Sequence, residues 1–117
     1  MIQIAFAGHN RPGDLGPPRL VARALAAAFQ MIREAGVDEA LLLTGLAVGA
    51  DRLAAKAWRD AGLGQIHAVF PYLDDPARVD VGPGRLAATA TWLDGEAAEA
   101  QGRNPHLKQC RMVVESA

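Results

Sequence analysis

The chain has 117 residues, half of them hydrophobic and 21% charged, with a formal net charge of −1. That size and balance suit a single domain spanning 1–117 with a packed core, and near-neutral charge argues against broad electrostatic capture of nucleic acid. Cys110 is the only cysteine, which rules out an internal disulfide and a cysteine-rich zinc site. No run approaches the ~20 apolar residues needed to span a bilayer. Met1-Ile2-Gln3 reads as the start of a strand and not as a signal peptide, so the expected setting is the cytoplasm, away from any membrane.

Residues 2–7 are short, apolar and β-compatible, and they run into Gly8 as a buried first strand. Pro12-Gly13 and Pro17-Pro18 punctuate a loop, and either Pro17 or Pro18 suits the first turn of a helix. From Arg19 to Ala35, Val21, Leu25, Ala28 and Ile32 repeat at helical spacing, and Gly36 is a stop. Ala40 to Thr44 is a second buried strand. A second helix follows, capped by Asp51, with Leu53, Ala54, Ala57, Trp58 and Ala61 inward and Gly62 at its end. Residues 65–70 form a third strand closed by Pro71. Strand, helix, strand, helix, strand is an α/β pattern with a mostly parallel sheet, and right-handed crossovers give the strand order 3-2-1.

Beyond Pro71 the pattern loosens. Tyr72 to Gly84 reads as a loop over the carboxyl ends of the strands, Leu86 to Leu93 as a short helix. Asn104-Pro105 opens a last helix that places Leu107, Cys110, Val114 and Ala117 on one face.

Two glycine turns carry the chemistry. Gly8-His9-Asn10-Arg11 follows the first strand, and Gly45-Leu46-Ala47-Val48-Gly49-Ala50-Asp51 follows the second. A strand that ends in glycines and delivers a helix N-terminus suits an anionic ligand. The backbone can approach closely, and free N–H groups and the helix dipole favour negative charge. Within these turns Arg11 offers a forked donor for phosphate. His9 can donate to a phosphate, act as general acid or base, or simply bond to backbone. Asp51 can hold sugar hydroxyls or merely cap its helix, but a carboxylate repels phosphate.

These segments, together with Val69-Phe70-Pro71, resemble the SLOG superfamily, which includes the DNA-processing protein A family and LOG-type phosphoribohydrolases. The resemblance covers about the first 70 residues. It implies a Rossmann-like three-layer sandwich with a ligand cleft formed by Gly8, His9, Arg11, Gly45, Gly49, Ala50, Asp51 and Pro71. It does not extend to the proline-glycine-glycine-glycine-threonine segment and catalytic glutamate of the LOG-type enzymes. Related chains place a further strand beside the first, where this sequence reaches Glu115-Ser116-Ala117. A truncated form, or a partner covering an open first-strand edge, is therefore expected, and an exposed edge favours a homo-oligomer.

Other candidates read more simply as structure. Asp74, Asp75 and Asp80 have the residue type for magnesium, but Asp-Asp-Pro and Gly-Pro-Gly are turn chemistry, and no metal or cofactor is called for. His67 suits a satisfied core or interface position, and His106 an exposed first turn. Trp58 suits packing between helix and sheet, whereas Trp92 can line the cleft. Cys110 reads as core. The leading expectation is a binding protein for a nucleotide or phosphorylated small molecule, in the manner of a sensor. The alternatives are a phosphoribohydrolase that cleaves an N-glycosidic bond, with Asp51, Asp74 or Asp75 as its carboxylate, and a non-catalytic interaction module.

Overall fold

Four strands make one parallel sheet in the order β1-β2-β3-β4: β1 (Ile2–Ala5), β2 (Ala40–Thr44), β3 (Ile66–Phe70) and β4 (Thr89–Trp92). Three helices accompany them: α1 (Pro18–Glu34), α2 (Ala50–Ala61) and α3 (Gly95–Ala100). The structure is a computed structural model, and it describes residues 2–7, 16–46, 49–105, 109, 111 and 112. The α/β class and the order of the first three strands agree with the sequence reading, because the order 3-2-1 is β1-β2-β3 taken from the other end. The first strand is not buried as expected: it pairs on one side only, with Ile2 and Gln3 exposed and Ile4 and Ala5 partly buried. β4 extends the sheet beyond β3.

Apolar alternation divides the sheet into two faces. On one, Leu42, Ile66, Ala68 and Phe70 pack with Phe29 of α1 and with Ala54, Ala57 and Trp58 of α2. Trp58 is fully buried. It meets Phe29 edge-on, with ring centroids 5.2 Å apart, and its indole Nε1–H donates to Gly64 O at 3.1 Å. Burial of a large ring with its one polar atom satisfied is a substantial contribution to a core of this size. Arg33 of α1 donates to Ala61 O at the end of α2, tying the two helices together. On the other face, Leu43, Val69 and Leu93 gather with Ala5, Leu41 and Met112. Residues 105, 109, 111 and 112 have helical backbone, as expected of the last helix. Leu107, Cys110, Val114 and Ala117, and with them His106, lie outside the described residues.

Four further expectations are corrected. Residues 86–93 do not form a helix: Thr89 to Trp92 is strand β4, pairing His67 with Thr89 and Phe70 with Trp92. Two threonines and a tryptophan in alternation favour a pleated strand, and the open side of β3 supplies the partner. The loop before it is ordered by a short 3₁₀ turn over Pro76–Asp80, where Asp75 Oδ1 accepts from Ala77 N–H at 2.9 Å. In α1, Ala28 faces solvent, and Phe29 takes the buried position between Leu25 and Ile32. Asp51 is not the cap of α2. Gly49 holds that position, and the carboxylate sits in the first turn.

α3 was not anticipated. It begins at Asp94, whose Oδ1 accepts from Ala97 N–H at 3.0 Å. Gly95 packs so closely on the Pro71 carbonyl and the Tyr72 ring that a β-carbon there would collide with both. The first strand stands at an edge of the described sheet, with Ile2 half exposed. No helix among the described residues is long and apolar enough to cross a membrane.

Candidate functional site

The carboxyl end of β2 departs from the apolar pattern that built it. Leu42 and Leu43 enter opposite cores, and then Thr44, Gly45 and Leu46 carry the chain over the rim of the sheet toward α2. Leu46 holds a positive φ of 52° with its side chain buried. A branched residue in the left-handed region is uncommon, and the apolar contacts of the side chain hold it there. Gly49, with φ 105° and ψ −136°, is the N-cap residue of α2, in a conformation that side chains resist, and it brings no side chain of its own to cap the helix.

Three polar side chains are buried among the described residues, and all three lie at this end of the sheet: Thr44, Asp51 and Gln109, at 0%, 7% and 7% exposure. Gly45 joins them. A β-carbon on Gly45 would run into the Gln109 amide and come within 3.2 Å of Asp51 Oδ2, so the missing side chain leaves the seat in which the amide rests. Gln109 Nε2–H also donates to Val69 O at 2.6 Å, pinning the last helical segment to the end of β3. Thr44 lies on the α2 side of the sheet, in alternation with Leu42. Its hydroxyl is the one buried side-chain polar atom without a hydrogen-bond partner among the described residues. Such a group ordinarily costs ~1–3 kcal/mol. In open α/β sheets the carboxyl rim is where ligands bind.

The expected site residues are therefore gathered in part. Gly45, Gly49, Ala50 and Asp51 form one turn and the start of α2. Pro71 is buried at the end of neighbouring β3, its carbonyl turned to Gly95. Gly8, His9 and Arg11 lie outside the described residues. Thr44 and Gln109 were not singled out. A polar residue closing an otherwise leucine-rich strand was a usable signal for Thr44. Nothing in the spacing locates Gln109, which reaches Gly45 only through the tertiary fold.

The remaining candidates have structural roles. His67 Nδ1 and Nε2 share hydrogen bonds with the hydroxyls of Thr89 and Thr91 at 2.6 and 2.9 Å, across the β3–β4 pairing. Burial lowers its pKa from the ordinary 6.5, because the cation is poorly solvated there. Asp80 pairs with Arg52, joining α2 to the 3₁₀ turn, and Asp75 caps that turn. Trp58 is core, as its spacing implied. Trp92 leans on Phe70 at 5.9 Å between centroids and keeps 41% of its surface exposed at the carboxyl end of β4. Tyr72 donates to Glu99 at 2.6 Å, and that hydrogen bond, with the neighbouring negative charge, raises its pKa. No cluster of three or more His, Cys, Asp or Glu side chains gathers among the described residues in a metal-holding arrangement.

Comparison with known proteins returns no significant match: no family model fits the chain, and no curated protein or solved structure aligns with it.

Proposed function

We propose that this is a cytoplasmic nucleotide-binding protein of the SLOG type, acting as a sensor, with its ligand in the crevice at the carboxyl ends of β1, β2 and β3. The observation that carries the reading is the convergence of Thr44, Asp51 and Gln109 on the Gly45 turn, with the buried Thr44 hydroxyl unanswered. Folded chains rarely tolerate such a group without a compensating role. The first turn of α2, which Gly49 opens without a capping side chain of its own, brings backbone N–H groups to the same rim. Arg11, at the neighbouring strand end in the sequence, is the proposed phosphate contact. A homo-oligomer formed through the β1 edge belongs to the same reading.

Of the carboxylates named for the hydrolase alternative, Asp75 accepts a hydrogen bond within the 3₁₀ turn and Asp74 is exposed just before it, and we assign no reaction to the site.

A thermal-shift screen against nucleoside mono-, di- and triphosphates, dinucleotides and cyclic nucleotides tests the proposal. A ligand at 100 times its dissociation constant stabilises the fold by ~2.7 kcal/mol. The expected result is a saturable shift for one nucleotide class that is lost in Asp51→Asn and in Arg11→Ala. Well-folded protein that responds to none of these compounds contradicts the reading.

A further inference from the structure

Helix α1 is apolar on two sides. Leu25, Phe29 and Ile32 pack inward on the core. At about 100° per residue, Leu20, Ala24, Ala27 and Met31 line up on the opposite side, and all four are exposed. Leu20 and Met31 keep 51% and 69% of their surface open. Steps of four, three and four residues are the seam spacing by which one helix packs on another.

The stripe is the same in both directions. Turned end for end, it superposes on itself, so an antiparallel copy sets Leu20 against Met31 of the second copy and Ala24 against Ala27 of the second copy. Large side chains then fill both ends, and the alanines allow close approach at the centre, toward ~8 Å between helix axes. The polar side chains beside the stripe obey the same symmetry. Arg19 and Arg23 flank its N-terminal half, and Gln30 and Glu34 flank its C-terminal half along the same side of the helix. Antiparallel order brings Arg19 beside Glu34 and Arg23 beside Gln30 of the second copy, each within ~3 Å of direct opposition along the axis. Parallel order would set like charges together. Arg19 is also poorly placed within its own chain, since the first turn of α1 holds no acidic residue and the helix dipole disfavours a cation there. The carboxyl end of a second α1, with its Glu34, answers that charge.

Independently of the nucleotide reading and of the β1 edge, we propose that α1 pairs with α1 of a second copy of this chain, antiparallel about a two-fold axis that passes between Ala24 and Ala27. A seam of 17 residues is about 25 Å long and covers less than the ~1,200–2,000 Å² of a standard interface, so association is micromolar or weaker.

Sedimentation equilibrium on the full chain, from about 1 μM to about 500 μM, tests the pairing. The expected result is a mass that rises with concentration from that of one chain toward that of two. Met31→Glu and Leu20→Gln, both at exposed positions, should leave the thermal melt of the monomer unchanged and raise the dissociation constant by about tenfold or more. Arg19→Glu should weaken association by about fivefold, because the two-fold axis sets like charges together twice. Combining Arg19→Glu with Glu34→Arg should restore it, which only antiparallel order explains. A chain that stays monomeric throughout overturns the proposal. A dimer that survives both Met31→Glu and Leu20→Gln overturns it as well and points to the β1 edge. A dimer that those changes break but the charge exchange does not restore overturns the antiparallel pairing.

Discussion

Under α1 and α2, the buried polar atoms of the core are answered. The Trp58 indole donates to Gly64 O, and the ring itself is enclosed by Phe29 and the alanines of α2. A few residues along the same strands, at the carboxyl rim, the rules change. Leu46 is held in a left-handed conformation, Gly45 leaves a seat for an amide, and the Thr44 hydroxyl is buried without a partner. Side chains are buried in both regions. Packing explains every side chain in the first, whereas in the second a valine would pack as well as the threonine that is there. That contrast separates residues that hold the fold from residues held for another purpose.

The contrast can be broken at several points. Trp58→Ala should lower stability in urea by about 3–5 kcal/mol, since it empties the largest buried volume. A cost below ~1 kcal/mol would mean that the helical face does not carry the fold. Gly45→Ala should cost about 1–3 kcal/mol, because its β-carbon displaces the Gln109 amide and leaves Val69 O unpaired. The same change should weaken nucleotide binding in calorimetry. Thr44→Val should do the opposite to stability, raising it by about 1 kcal/mol in the same denaturation experiment. A destabilised Thr44→Val protein would mean that the hydroxyl has a structural partner and that the rim obeys the same rule as the core.

The smallest effect concerns His67. Its folded pKa lies below 6.5, so the folded chain binds fewer protons than the unfolded chain as pH falls through that value. The stability associated with neutral His67 is present above pH 6.5 and is lost progressively toward acid. His67→Gln should flatten that part of the stability–pH curve. An unchanged curve would remove His67 from the account.

Where local pattern and final environment coincide, the sequence was legible. β2 and β3 are short, mostly apolar runs closed by Gly45 and Pro71, and Ala54, Ala57 and Trp58 of α2 are buried as their spacing implies, with Leu53 only partly so. Strand β4 was misread because Ala87, Ala88 and Ala90 suit a helix locally, and only the free side of β3 makes Thr89 to Trp92 a strand. The role of Asp51 shifted for a similar reason: an aspartate before an apolar stripe looks like a cap, yet Gly49, two residues earlier, already supplies the required backbone turn. Half of the site was visible as the Gly45–Asp51 turn. Gln109 was not, because it lies 40 residues from Val69, its hydrogen-bond partner, and no local rule joins the two.

Amide chemical-shift mapping in a ¹⁵N-labelled protein, with the nucleotide that gives the largest thermal shift, tests most directly where the ligand sits. Perturbations centred on Thr44, Gly45, Gly49, Asp51 and Gln109, and absent from the Phe29–Trp58 core, are the expected result. Perturbations centred on the His67–Thr89–Thr91 face or on the outer surface of α1, with the Gly45 turn silent, would contradict it.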